Sequence, residues 1–272
     1  MEEWQEPDDS PLRVIRSAAS RLLKPWSPRG PGDSGLGPAL VHAGHALRRI
    51  AFRTRGVILV SIGKSGRTWL RVMLDHLGIY IQYTHVGGRL EVPRTLNGRL
   101  IHLHRDPRDT IVSAWYQHRK RRGDYSGTLA EFLRDPAMGL EARVGFNLFW
   151  AEHVSRSGGL VTSYERLHAD TAAELGRIVA FITGAAMSEA RLADAVAAGS
   201  FARMRALEAS GEGARLYGPA LAPGDPDDPD TYKTREGRIG AWRTHFSPAD
   251  AAFADTLLHE RDYFRRMRDA TA

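Results

Sequence analysis

Residues 57–74 read VILVSIGKSGRTWLRVML. An apolar run, Val57–Val60, leads into Gly63-Lys64-Ser65-Gly66-Arg67-Thr68, and an apolar helical pattern follows. A strand that turns through glycines into a helix is a cradle for an anion. Glycine lets the backbone come close, and the unpaired N–H groups at the helix start and the helix dipole favour negative charge. An ordinary strand–helix turn needs a glycine and a cap. It has no need of Lys64, Ser65, Arg67 and Thr68 together. The stretch is not the Walker pattern G-x-x-x-x-G-K-[ST], because Lys64 precedes Ser65-Gly66-Arg67-Thr68 and Ile58 stands where the first glycine is required. A loop this short suits one phosphate rather than a triphosphate tail.

Working outward from it, short apolar runs alternate with helical patterns. Strands are expected at Val57–Ile62, Ile79–Tyr83, Leu100–His104 and Leu160–Ser163. Helices are expected at Thr68–Leu77, Arg108–Lys120, Gly139–Val154, Thr171–Ile182 and Pro248–Met267. This order predicts an α/β fold, a central parallel sheet flanked by helices, with ligands beyond the carboxyl ends of the strands. The second turn that matters is then RLIHLHRDPRDTIVSAWYQH. There Arg105 closes a strand, Pro107 opens a helix, and Ser113 lies two turns along it. An arginine fork with a hydroxyl suits a second, separate phosphate. Asp109 reads as a residue that orders the turn.

The chain has 272 residues, a net charge of +6 carried mostly by arginine, and no cysteine, which excludes disulfides and thiolate metal sites. No apolar run is long enough to span a membrane, and the acidic start lacks a signal-peptide pattern, so a cytoplasmic setting is expected. Residues 1–55 read as an appendage: a helical pattern from Leu12 to Leu23, a Pro/Gly/Ser linker, and a second helical pattern from Ala39 to Phe52. A basic amphipathic helix there can lie on a membrane surface, although covering the domain's own sheet is favoured. The main domain is expected over residues 56–272. The Gly/Pro/Asp-rich segment 211–238 reads as disordered or as a lid.

GKSGRTWL resembles the 5′-phosphosulfate loop of the cytosolic-type sulfotransferases, roughly P-K-S-G-x-T-W, with Gly63 in place of Pro and Arg67 at the variable position. Arg105, Asp106, Pro107, Arg108, Asp109 and Ser113 are similar to the family's 3′-phosphate motif, R-[ND]-P-[KR]-D-x-x-x-S. His85 in QYTHVGG corresponds to its T-H-[LV] histidine, and SYERLHADTAAELGRIVAFI to its Y-E-D-L stretch. KTREGRIGAW resembles its R-K-G-x-x-G-x-W motif, with Arg235, Gly237, Gly240 and Trp242 in place and Glu236 where the family has Lys. The resemblance spans about residues 57–246.

The resemblance implies a P-loop-like sulfotransferase fold and a donor, 3′-phosphoadenosine 5′-phosphosulfate (PAPS), released as adenosine 3′,5′-bisphosphate (PAP). It implies that Lys64 stabilises the leaving 5′-phosphate oxygen and that Ser65, Gly66, Arg67 and Thr68 hold that phosphate. Arg105, Ser113, Arg235, Glu236 and Gly237 would form the 3′-phosphate site. Trp69, Tyr164 and Phe201 would contact adenine. His85, just after a strand, is the expected base, with His102, His104 and His118 as rivals. No metal and no nucleic acid are expected. The acceptor is a small-molecule, sugar or lipid hydroxyl. Glu236 removes one positive partner for the 3′-phosphate, and Arg238 is placed to compensate. The segment after Trp242, RTHFSPADAA, lacks the Thr-Val and Glu of the dimer motif some relatives carry. Two readings compete: a P-loop small-molecule kinase, and a basic protein that binds polyanions or membrane surfaces.

Overall fold

The computed structural model describes residues 56–85 and 99–271. The N-terminal helical patterns and linker expected within residues 1–55 lie outside them. Val57–Val60 forms β1, and all four residues are buried. The other strands are β2 (Gln82–Thr84), β3 (Arg99–His104) and β4 (Leu160–Ser163). All pair in parallel, in the order β2-β1-β3-β4. Leu59 sits opposite Tyr83 on one side and Ile101 on the other. Because β2 and β3 flank β1 on opposite sides, the connections leaving β1 and β3 diverge at the carboxyl edge. That divergence opens a crevice where a ligand is held.

Alternation along β1 divides the core. Val57 and Leu59 pack on one face with Leu70, Met73, Leu103 and Ile178. Ile58 and Val60 pack on the other with Phe132, Val144, Trp150 and Leu258. The first face is covered by α1 (Arg67–His76), with α5 (Tyr164–Ala169), α6 (Thr171–Thr183) and α7 (Glu189–Ala198) contributing Leu167, Ile178 and Ala195. The second is covered by α2 (Pro107–Tyr116), α3 (Leu129–Arg134), α4 (Leu140–Arg156), α10 (Pro248–Glu260) and α11 (Tyr263–Thr271). Two further helices, α8 (Phe201–Ala209) and α9 (Glu212–Tyr217), lead into the segment that returns to the crevice.

Four expectations are corrected. β1 stops at Val60 rather than Ile62, as the chain leaves the sheet to form the Gly63–Gly66 turn. β2 starts at Gln82 rather than Ile79, because the edge strand pairs only where it runs beside Ile58–Val60. The helix expected over Pro248–Met267 breaks at Asp262, whose φ of 48° ends α10 and turns Tyr263 inward to accept a hydrogen bond from Asn147. Segment 211–238 is not structureless. It contains α9 and short helical turns at Pro219–Leu221 and Pro229–Thr231, the latter capped by the Asp228 carboxylate.

Candidate active site

The first turn is bent by two left-handed residues, Lys64 at φ 78° and Gly66 at φ 88°. Gly66 is required there, since a Cβ would lie 2.6 Å from the Tyr164 ring. Lys64 has no such licence, and a lysine in this conformation is local strain of the kind held at ligand loops. Gly63 has open space around it, so the site tolerates the side chain that relatives carry there. Gly66 opens α1 with no side-chain cap, which leaves the first amides of the helix unpaired by any side chain. Ser65 is fully buried, and its Oγ has no hydrogen-bond partner among the described residues. An uncapped helix start beside an orphaned buried hydroxyl fits an anion.

The second turn leaves β3 next to the first. The Asp106 carboxylate caps α2 by accepting from the Arg108 amide at 2.9 Å, and Pro107 fills the first helical position. Arg105 is 8% exposed, lies 4.1 Å over the Tyr164 ring, and donates through Nη2 to the Arg238 carbonyl at 2.7 Å. Its Nε is buried without a hydrogen-bond partner among the described residues, a second orphan on a residue that lines the crevice. Asp109 accepts from the amides of Gly240 at 2.8 Å and Trp242 at 3.0 Å. It therefore does more than order its own turn, because it ties the returning segment to α2. Tyr164 donates to the Gly237 carbonyl at 2.7 Å, and a Cβ on Gly237 would lie 3.0 Å from the Phe201 ring. Trp69 meets Tyr164 edge-on at 5.5 Å.

These parts line one cavity of about 470 Å³, in which Lys64, His85, Arg105, Ser113, Phe201 and Arg235 all take part. Ser65 is buried and does not line it, whereas Lys64, His85 and every other residue expected to hold phosphate or adenine do. His85 hydrogen-bonds the Ser61 carbonyl at 2.5 Å through Nδ1. A carbonyl accepts, so the proton is on Nδ1 and Nε2 is left with a lone pair. Partial burial, and then the Arg67 charge, hold its pKa below the ordinary value, which keeps the ring neutral at pH 7. His102 and His104 stack at 5.8 Å on one strand face. Burial lowers them to about 4 and about 3. His102 is fully buried and His104 half-buried, and neither lines the cavity, so neither is placed to serve a substrate there. His118 is paired with Asp124 at 2.8 Å and does not line the cavity.

Lys64 Nζ donates to Gln117 at 3.0 Å, where α2 loosens into a π-helical turn, Gln117–Arg122. That turn ends the regular helix before the expected Lys120, and such turns concentrate at functional sites. Burial and the neighbouring Lys233 hold Lys64 well below its ordinary pKa. Glu236 is held between two arginines, Arg235 and Arg238 at 2.9 Å, and hydrogen-bonds the His245 ring at 3.3 Å. Arg235 also lies 4.1 Å over the Tyr116 ring. Among the polar cleft residues not read from the sequence are Gln117 and Lys233, the latter clamped by the buried Glu208. Lys233 stands two positions before Arg235 and was the one with a signal to follow.

The sulfotransferase domain model matches residues 81–269. No curated protein matches the chain. Among solved structures, that of mouse sulfotransferase SULT7A1 complexed with PAP is similar with a TM-score of 0.62 and 22% identity, over 80% of this chain and 90% of that one. Retinol dehydratase in complex with androsterone and inactive cofactor PAP gives a TM-score of 0.59 and 16% identity, over 77% of this chain and 81% of that one. The domain match covers well over half of the chain and takes in the Arg105 turn, His85 and the Arg235–Trp242 segment, and the chain belongs to the sulfotransferase family.

Proposed function

We propose that this sulfotransferase moves a sulfuryl group from PAPS to a hydroxyl, less readily an amine, of a small-molecule, glycan or lipid acceptor. The observation that carries the reading is a pair of anion receptors at neighbouring strand exits: the uncapped start of α1 with the buried, unpaired Ser65 Oγ beside it, and Arg105, which lines the same cavity as Lys64 and whose Nε is buried and unpaired. A nucleotide with phosphate on both sides of its ribose needs two such receptors. A linear polyphosphate needs one.

PAPS supplies the activated sulfuryl group. Ser65, Arg67, Thr68 and the first amides of α1 would hold its 5′-phosphate. Arg105, Ser113, Arg235 and the Gly237 backbone would hold the 3′-phosphate, and Trp69, Tyr164 and Phe201 the adenine. His85 takes the proton that the acceptor hydroxyl loses as its oxygen bonds to sulfur and the bond from sulfur to the 5′-phosphate oxygen breaks. Lys64 neutralises the charge left on that oxygen. An anion beside it offsets the burial that holds its pKa down, and so restores the ammonium form. The lysines and arginines supply the neutralising charge, so the reading calls for no metal.

The test is transfer of label from sulfur-labelled PAPS to a panel of phenols, alcohols and sugars, set against phosphoryl transfer from ATP with Mg²⁺. Label on any hydroxyl compound supports the reading. Failure to bind PAP or PAPS, with transfer from ATP instead, would overturn it in favour of a kinase.

A further inference from the structure

The cleft holds a lysine, Lys233, that lies outside the quoted family motifs. Only four of the 38 basic residues are lysine: Lys24, Lys64, Lys120 and Lys233. Lys24 lies outside the described residues, and Lys120 is spent on a surface pair with Asp228 at 2.9 Å. The other two both face the cavity. In a chain that uses arginine almost everywhere else, two compact ammoniums in one cleft is a specific arrangement.

Lys233 is placed by a clamp. Glu208 on α8, fully buried, accepts the amides of Lys233 at 2.6 Å and Thr234 at 2.9 Å, and pairs with Arg121 at 2.7 Å. Arg205 lies 3.4 Å over the Tyr232 ring and donates to the Thr234 carbonyl at 2.8 Å. The backbone is thus fixed on both sides of residue 233. The side chain lines the cavity, and its Nζ has no hydrogen-bond or ion-pair partner among the described residues. The charges around it are Arg67, Arg71 and Arg121 against the single carboxylate of Glu208. Its own charge acts in turn on Lys64 and on His85. Burial and this company hold its pKa at about 8. Like charges gathered in a half-buried cavity are costly unless an anion sits among them. Arg235 and Arg121 also act on Lys64, so the positive field is densest around the two lysines. The Lys64–Arg67–Lys233 group lies at the phosphate loop and the base.

We infer that Lys233 binds the sulfuryl oxygens of the donor, so that Lys64 from the loop and Lys233 from the returning segment grip the transferring group together. The inference rests on the PAPS reading above and goes one residue beyond it.

The experiment compares the affinities of PAPS and PAP, which differ by the sulfuryl group alone, for the wild-type protein, Lys233→Met and Lys233→Arg. We expect Lys233→Met to weaken PAPS about ten- to a hundredfold, the range of a lost charge-assisted hydrogen bond, while PAP changes less than about threefold. Lys233→Arg keeps the charge and most of the preference. Between pH 7 and 9 the wild-type preference for PAPS declines as Lys233 loses its proton, and in Lys233→Arg it stays flat. An unchanged ratio of PAPS to PAP affinity in Lys233→Met overturns the inference. So does a pH dependence that persists in Lys233→Arg, which would belong to Lys64. A wild-type protein that binds neither nucleotide overturns the PAPS reading instead. Far-UV circular dichroism and a melting curve for each variant separate lost binding from lost folding.

Discussion

At His85 a single short hydrogen bond decides what the side chain can do. With Nδ1 committed to the Ser61 carbonyl, the free lone pair is on Nε2. Burial and Arg67 hold the ring neutral near pH 7, so it is ready to accept a proton. His85→Ala is expected to lower kcat by about 10²- to 10⁴-fold, the usual span for a general base. Because the base works only unprotonated and its pKa is depressed, kcat should be level by neutral pH and fall only on the acid side of histidine's ordinary 6.5. Wild-type turnover in the alanine variant would remove His85 from the reaction. Glu236 poses the opposite question. Burial works against its charge, but Arg238, Arg235 and His245 hold the carboxyl below its ordinary range, so it stays ionised. A carboxylate that occupies Arg235 and Arg238 competes with a phosphate for them. Glu236→Gln should therefore tighten PAP by about three- to tenfold, in the range of a partly exposed charge contact. Weaker PAP binding in that variant would mean that the carboxylate positions Arg235 rather than competes with it.

At the level of elements, β3 shows how much of the fold was legible. Its apolar alternation announced a strand, and the parallel sheet followed from the βα order. The strands came from apolar runs that need no tertiary context. β2 was misplaced by its edge position, where no burial on both faces reinforces the pattern. α3 was missed because six residues carry too little periodicity, although Thr128 and Glu131 form a capping box that the sequence displays. The Glu208 clamp on Lys233 joins residues 25 apart through a Gly/Pro-rich segment, and nothing local signals it. The two phosphate turns, by contrast, are runs of adjacent residues, and so they were visible. β3 also carries a cost the sequence did not advertise. His102 and His104 are buried neutral, with pKa values of about 4 and about 3 against 6.5 in an unfolded chain. The unfolded chain takes up protons first as pH falls, so this part of the stability is fully present above pH 6.5 and is lost on the way down to pH 3–4. Moving from pH 7.5 to 5.5 should cost about 3 kcal/mol from the pair. Urea unfolding at the two pH values measures it, and His104→Gln should remove about half of the loss. Equal stability of the wild-type protein at both values would show that the rings are not held neutral.

For the molecule as a whole, the sheet order matters more than any one contact. The order β2-β1-β3-β4 sends the exits of β1 and β3 into one crevice. The returning segment closes that crevice because Asp109 holds the Gly240 and Trp242 amides, and Arg105 holds the Arg238 carbonyl. A ligand that reaches both receptors therefore bridges α1, α2 and the 229–242 segment. One that reaches a single receptor does not. PAP should accordingly bind far more tightly than 5′-AMP, by roughly ten- to a hundredfold for the extra charge-assisted contacts of the 3′-phosphate. Arg105→Ala should bring PAP close to the affinity of 5′-AMP while leaving 5′-AMP nearly unaffected. Stability reports the same bridge by linkage: at a hundredfold excess over its Kd, PAP adds about 2.7 kcal/mol to unfolding. At that same concentration 5′-AMP, ten- to a hundredfold weaker, should add about 1.4 to 0.4 kcal/mol, and the gap should close in Arg105→Ala. Thermal melts of the two proteins with each nucleotide decide it. Equal shifts for PAP and 5′-AMP in the wild-type protein would mean that the second receptor does not engage a phosphate, and the case for a doubly phosphorylated donor would fall with it.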